Sequence, residues 1–308
     1  MKKIKIVDIS TLIPGPFASY LLNKHLDAEI IKFEDNRTGD PFINLRPTKE
    51  GIGLSYSVIN NLKTVRQIDF SSGGLNAILN EIKEADIFIE NYKTGKADKL
   101  GLGFEDVKKT NPNIFYCSIT GYPKTHPLVG CAAHDLNILA LSGYLDMQNK
   151  LNNLLFPPPV QLADLFTSYH LSICILSAII KGEKCIKITV SMFEALSEAL
   201  IIYNYPILKT SRNINTDDAI MSGTYPCYSI YKTKDNGFAA VAALEKPLWI
   251  DFLNHIKRED LTEKQFDPLV FMQVQEEMLK YARKEWLKND FCVSPILSVL
   301  ETRKAKYV

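Results

Sequence analysis

Residues 4–33, IKIVDISTLIPGPFASYLLNKHLDAEIIKF, decide the fold. A short β-rich run, IKIVD, leads into a helical pattern over PFASYLLNKHL and then into a second apolar run, AEIIKF. Strands joined through a helix run parallel, because the crossover replaces the hairpin turn. Pro14 and Pro16 stand at the helix entrance, where a missing N–H does no harm because first-turn donors have no intrahelical partner. The alternation continues through VRQIDF at 65–70, a helix over GLNAILNEIKEA at 74–85, DIFIE at 86–90 and NIFYCSI at 113–119. It predicts an α/β protein built on a parallel sheet. After the helix over SMFEALSEALIIY at 191–203 the texture changes, and TYPCYSIYKT and GFAAVAAL form a predicted hairpin through Asp235-Asn236-Gly237. We therefore expect a large α/β domain over residues 1–205 and a smaller α+β domain over 206–308, with the polar stretch at 209–223 as a connecting loop.

The totals exclude several function classes. A chain of 308 residues with 46% hydrophobic content buries a substantial core, and 36 Lys plus Arg against 35 Asp plus Glu gives no general attraction to nucleic acid or to an anionic membrane. No GxGxxG follows the first strand, and neither Gly73-Gly74 nor LGLG at 100–103 has the spacing of a dinucleotide or P-loop fingerprint. The six cysteines lack a CxxC spacing and sit mostly in apolar runs, which points to a reducing, cytoplasmic compartment. Asp8 interrupts the first apolar run too early for a signal-peptide core. The apolar stretch at 165–180 falls short of the roughly 20 residues a bilayer requires, so a buried helix is expected there.

One segment raises a chemical question. In AAHDLNILALSG, residues 132–143, His134 and Asp135 stand together at the mouth of an apolar helical run. Either Asp135 caps the helix by bonding its first-turn amides, or the segment carries acid–base chemistry. Asp164 in QLADLF and Glu245 in VAALEKPLW also precede helical runs and admit equally plain readings, a cap and a solvated residue.

IPGPFASYLL, AEIIKFE, the long stretch ADIFIENYKTGKADKLGLGFEDVKKTNPNIFYCSITGY and CVSPIL together resemble, in order along the chain, the superfamily of family III CoA-transferases and α-methylacyl-CoA racemases, the CaiB/BaiF-like proteins. AAHDLNILALSG and QLADLF are closest to the racemase branch, whereas transferase members keep the aspartate and usually lack the histidine. The resemblance implies a Rossmann-like large domain, an interlocked homodimer, and His134, Asp164 and Glu245 as catalytic residues, with Glu245 reaching the partner's site. It further implies a groove for an acyl-CoA substrate along Ile68, Asp69, Phe70 and Ser71 and along Ala133, Asp135, Leu136, Asn137 and Ile138. Tyr92 and Lys93 border that groove, with Arg37 as a phosphate partner. Coenzyme A enters as part of the substrate, and no metal or redox cofactor is required. Inversion beside a thioester needs two groups in opposite protonation states, and a histidine near pKa 6.5 with a carboxylate near about 3.9 supplies them once environment narrows the gap.

Several positions depart from the family pattern. Asp35 and Lys93 stand where arginines are usual, and Lys63, Lys96 and Lys99 read as ordinary solvated cations. Phe166, Thr167, Ser168, Tyr169 and His170 replace the glycines that normally follow the aspartate, which suggests a reshaped acyl pocket. By resemblance the family continues beyond CVSPIL, so a C-terminally shortened small domain is expected here. Three readings follow: an acyl-CoA racemase or epimerase, a CoA-transferase with Asp164 as nucleophile, and a noncatalytic CoA-binding relative.

Overall fold

The computed structural model of the chain describes residues 3–70, 73–152, 155–210 and 221–304. The candidate Ser71 and most of the expected connecting loop lie outside the described residues. Packing divides the chain into two compact units, one comprising Met1–Leu145 and Phe156–Pro206, the other Asp146–Leu155 and Ile207–Val308. The sequence reading placed residues 146–155 in the large domain, but they group with the second unit.

The first unit is built on a six-stranded parallel sheet. Its strands are β1 (Lys5–Asp8), β2 (Glu29–Asp35), β3 (Thr64–Ile68), β4 (Ile87–Glu90), β5 (Phe115–Thr120) and β6 (Lys187–Ser191), in the spatial order β3-β2-β1-β4-β5-β6. The order reverses between β1 and β4, and ligand crevices in such sheets open at the carboxyl ends of the strands at that point. Every residue of β4 is buried, as expected where helices cover both faces of a parallel sheet. Ile31, Phe33, Ile78, Ile82 and Phe88 pack as one core cluster. Elsewhere in the unit, helix α1 (Pro14–Leu26) packs against a long helix over Leu162–Ile180.

That long helix meets the length and hydropathy of a membrane span. It buries one stripe, in which Ala163, Thr167, Ser168, Leu171, Ser172, Ile175 and Ala178 recur at helical spacing. Small side chains there let neighbouring elements approach closely. Phe166, Tyr169, Ile173 and Ile180 face outward, so the helix is half-buried, not fully buried as its composition suggested. The bulky replacements after Asp164 therefore lie largely on its open side, while Thr167 and Ser168 fold their hydroxyls onto the carbonyls four residues earlier.

A buried charge cluster lies beneath the start of α1. Lys63 is not a solvated cation: its side chain is fully buried, 3.3 Å from Asp8 and donating to the Pro16 carbonyl at 2.8 Å. Desolvation depresses the Lys63 pKa to about 8, and the cationic neighbours Lys63 and Lys32 help hold Asp8 below the usual carboxylate range against its own burial. Lys32 is likewise buried, between Glu34 and Asp40, and donates to the Ser10 carbonyl.

In the second unit, β7 (Tyr228–Lys232), β8 (Phe238–Ala242) and β9 (Val293–Pro295) form an antiparallel sheet in the order β9-β8-β7. The expected hairpin joins β7 to β8, with Asn236 in the left-handed region at φ 58°. Trp249, Phe252 and Trp286 centre this unit's core.

The charge cluster predicts a large single-site cost. Lys63→Met should lower unfolding free energy by about 3–5 kcal/mol, because Asp8 would remain buried without its cation. Adding Asp8→Asn should return part of that loss. Denaturant titrations that place Lys63→Met within 0.5 kcal/mol of wild type, roughly the range of a neutral surface change, would contradict the pairing.

Candidate active site

The crevice between β1 and β4 is held open by side chains that satisfy the loop after β1. The Thr11 N–H donates to Asn91 Oδ1 at 2.9 Å, and Asn91 Nδ2 returns a bond to the Thr11 carbonyl at 2.8 Å. Leu12 adopts φ 64°, an unusual conformation for a bulky residue, and its N–H donates to buried Asp40 at 2.9 Å. Thr11, Leu12 and Asn91 line a cavity of about 220 Å³ that His134 and Asp164 also line. The two acid–base candidates, thirty residues apart in sequence, thus share one cavity at the switch point of the sheet.

Each is positioned by its local sequence. His134 precedes helix α2 (Asp135–Leu141) in an extended conformation, and its N–H donates to Asn137 Oδ1 at 3.0 Å, closing the helix start three residues on. Asp135 does not bond the first-turn amides of its own helix. Its Oδ1 accepts from the Ala163 and Asp164 amides at 2.7 and 3.2 Å, at the start of helix α3 (Leu162–Ile180). Asp164 is the third residue of that helix, inside the first turn and not at the cap.

This arrangement sets the proton affinity of Asp164. A carboxylate at a helix start is ordinarily stabilised in its ionised form. Here two first-turn amides serve Asp135, and Asp164 is left largely desolvated. Burial raises its pKa to about 7, with a smaller contribution from the Asp135 charge. Burial raises Asp135 as well, opposed by the two amide bonds it accepts.

The remaining candidates divide. Tyr92, Lys93 and Ala133 line the cavity, with Lys93 exposed, and a Cβ on Gly121 would stand 2.6 Å from that of Ala133. Lys96 places its ammonium 4.3 Å above the Tyr92 ring. Ile138 is fully buried, Phe70 is 3% exposed within the sheet's core cluster, and Leu136 is exposed, so none of the three lines this cavity. Ile68 ends β3, where its carbonyl accepts from Asn36. Arg37 is engaged: its guanidinium forms a two-bond fork with Asp35 at 3.0 and 2.7 Å and lies 3.4 Å from Asp69. That pairing holds Asp35 below the usual carboxylate range. Glu245 is exposed, at the start of helix α4 (Lys246–Ile256) in the second unit, where its side chain caps nothing.

Sequence reasoning missed Thr11, Leu12, Asn91 and Met192 as lining residues. Their common feature is position just beyond a strand's carboxyl end, which the strand assignment alone could have flagged. Among the described residues, no cluster of three or more His, Cys, Asp or Glu side chains could hold a metal ion.

Comparison with known proteins bears on the fold and the family. Residues 1–303 match the model of CoA-transferase family III. The chain is 32% identical to human succinyl-CoA:glutarate CoA-transferase over 253 residues, which cover 79% of this chain and 56% of that protein. It is 27% identical to mouse alpha-methylacyl-CoA racemase over 320 residues, covering 98% of this chain and 78% of that one. The fold superposes on a CaiB/BaiF family protein from Brucella suis with a TM-score of 0.81 at 23% identity, covering 98% of this chain and 85% of that chain. A parallel sheet with its crevice at the β1–β4 switch point, matched along nearly the whole chain, makes this protein a member of CoA-transferase family III.

Proposed function

We propose that the protein is an acyl-CoA racemase or epimerase acting on a 2-methyl-branched thioester, with His134 and Asp164 as the two proton carriers. The carrying observation is that both line one cavity while Asp164 binds its proton near neutrality. A neutral His134 would take the α-proton from one face, and protonated Asp164 would deliver one to the other, leaving the α-carbon inverted. The return direction uses the opposite protonation states. Coenzyme A belongs to the substrate, and the scheme requires no metal or redox cofactor. The active unit is a homodimer in which Glu245 joins the site of the other copy; a fully active monomer in sedimentation at assay concentration would contradict it.

A second reading rests on the similarity to the human succinyl-CoA:glutarate enzyme. There ionised Asp164 would attack the thioester carbonyl, expel the CoA thiolate and form a mixed anhydride, before CoA moved to a second acid.

Deuterium exchange separates the two. In deuterated water, 2-methylacyl-CoA should gain deuterium at the α-carbon without a second carboxylic acid, and His134→Ala should abolish that exchange. A strict requirement for an acceptor acid, with His134→Ala unimpaired, assigns the transferase. The pH profile gives an independent reading. In the direction where Asp164 donates, kcat/KM should fall as pH rises through about 7, whereas a nucleophilic Asp164 makes it rise.

The same titration has a stability consequence. Folded Asp164 holds its proton to about 7 and the unfolded chain only to about 3.9, so stability falls as pH climbs through that window and levels above it. Asp164→Asn removes this loss. It should be inactive, yet more stable than wild type by on the order of 2 kcal/mol above pH 7, with no gain near pH 4; residual solvent contact lowers the figure. Parallel melting profiles of the two proteins across this range would refute the raised pKa.

Phosphate recognition is testable through Arg37. Asp35→Ala should release the guanidinium fork and tighten CoA binding by about tenfold, the value of one charge-assisted bond. Calorimetry at fixed low and moderate salt checks it. Unchanged affinity would leave the exposed lysines as the phosphate partners.

A further inference from the structure

Residues 121–134, between β5 and α2, form neither helix nor strand. They supply much of the cavity's wall, with Gly121 and Tyr122 at one end and Gly130 through His134 at the other. The two ends meet, since a Cβ on Gly121 would stand 2.6 Å from that of Ala133. A surface segment of this length with joined ends is an Ω-loop, which is packed by its own side chains and has no ladder to hold it. Asn137 and Asp135 fix His134 on its helical side. On the other side its placement depends on this loop.

His126 organises the loop from its middle. Its N–H donates to the Pro123 carbonyl at 3.0 Å, its carbonyl accepts from the Val129 N–H at 2.9 Å, and its ring Nδ1 accepts from the Leu128 N–H at 3.1 Å. The Cys131 N–H then donates to the Leu128 carbonyl at 2.9 Å, which carries the order on toward His134. An accepting Nδ1 places the ring's proton on Nε2. The same ring packs against two others: Tyr122 stacks on it at 4.8 Å with 14° between the planes, and Phe193 tilts against it at 4.9 Å. Phe193 belongs to the helix over Met192–Ala199, and its N–H donates to the Gly121 carbonyl at 3.1 Å. His126 thus ties the middle of the loop to its start and to a helix whose first residue, Met192, lines the cavity. His126 itself does not line it.

We propose that His126 is a positioning residue for the reaction: by accepting the Leu128 amide it fixes the loop that sets His134 in the cavity shared with Asp164. The proposal rests on the racemase reading and adds a residue to it. Pro127 has no N–H to give, so the Leu128 amide is the first after His126 able to close the turn. Without an acceptor at position 126 that amide turns to water, and the loop gains conformers that place His134 differently. Proton transfer tolerates little displacement of its carriers, and a shift of about 1 Å costs on the order of a hundredfold in rate. Tyr92 and Lys93 lie outside the loop, so the loss falls on kcat and spares KM.

The test compares wild type with His126→Ala, His126→Phe and His126→Asn as full chains, assayed for deuterium incorporation at the α-carbon of 2-methylacyl-CoA. His126→Phe keeps a ring against Tyr122 and Phe193 but loses the acceptor. His126→Asn loses the ring but keeps an acceptor for the amide two residues on, the geometry of an Asx turn. His126→Ala and His126→Phe should lower kcat roughly tenfold or more with KM little changed, and His126→Asn should recover most of that loss. Hydrogen exchange at the Leu128 amide, followed by NMR with leucine-selective 15N labelling, reads the bond without turnover: slow in wild type and His126→Asn, fast in the other two. Should His126→Ala fail to fold, the Phe and Asn variants decide alone. Wild-type kcat in His126→Phe, no recovery in His126→Asn, a loss carried wholly by KM, or a Leu128 amide that exchanges alike in every variant overturns the proposal. A wild type that protects Leu128 yet exchanges no α-proton removes the racemase reading, and His126 then has no reaction to serve.

Discussion

The contact on which the site depends is the acceptance of two backbone amides, those of Ala163 and Asp164, by the carboxyl of Asp135. It ties the start of one helix to the start of another across 28 residues of sequence. His134, adjacent to Asp135, is fixed by that bond on one side and by the Asn137 side chain on the other. Asp164 is fixed because its own backbone is the donor. The bond also acts electrostatically: two first-turn amides serve Asp135, and an acidic neighbour now stands beside Asp164. The bond thus fixes the geometry and adds to a proton affinity that burial of Asp164 chiefly sets. Loss of the Asp135 carboxyl would free the amides and lower the Asp164 pKa while loosening the pair's spacing.

The loop after β1, which lines the same cavity, is equally constrained, by a different device. Ser10 is bonded by Asp8 and Lys32, Thr11 by Asn91, and Leu12 by Asp40. These polar groups come from four separate places in the chain. Together they hold Leu12 in a left-handed conformation, and such strain persists only where surroundings over-determine it. Lys63 closes the cluster by compensating Asp8 and accepting the desolvation that its depressed pKa records. A cavity bordered this way has little freedom to collapse when empty.

The sheet was legible in the sequence because its signals are local. IKIVD, AEIIKF, VRQIDF, DIFIE and NIFYCSI all become parallel strands, and the Asp-Asn-Gly turn becomes the hairpin of the second unit. The pairing of His134 with Asp164 in one cavity was reached through family resemblance, since nothing local joins positions thirty residues apart. What could not be read were partner choices. Asp135 has the chemistry of an N-cap, but its bonds go to another helix. Lys63 looks solvated in the stretch NNLK, yet its side chain is buried against Asp8, 55 residues away. Arg37 reads as a free cation until Asp35, two residues earlier, is seen to fill its fork. Phe70 stands in a segment expected to line the groove, yet in the turn after β3 its side chain is buried in the core.

These partner choices divide the charges of the first unit into two populations. Asp8, Lys32, Glu34, Asp40 and Lys63 are buried and paired, so ionic strength barely reaches them. Lys93, Lys96 and Lys99 are exposed, and a solvated ammonium contributes through space more than through fixed geometry. The buried set fixes the loop after β1 that borders the cavity. The exposed set is suited to drawing in a polyanion and holding it loosely, in a salt-dependent way. Lys93 belongs to both settings, since its exposed side chain also lines the cavity that His134 and Asp164 share, and a change of its length or charge reaches that cavity directly.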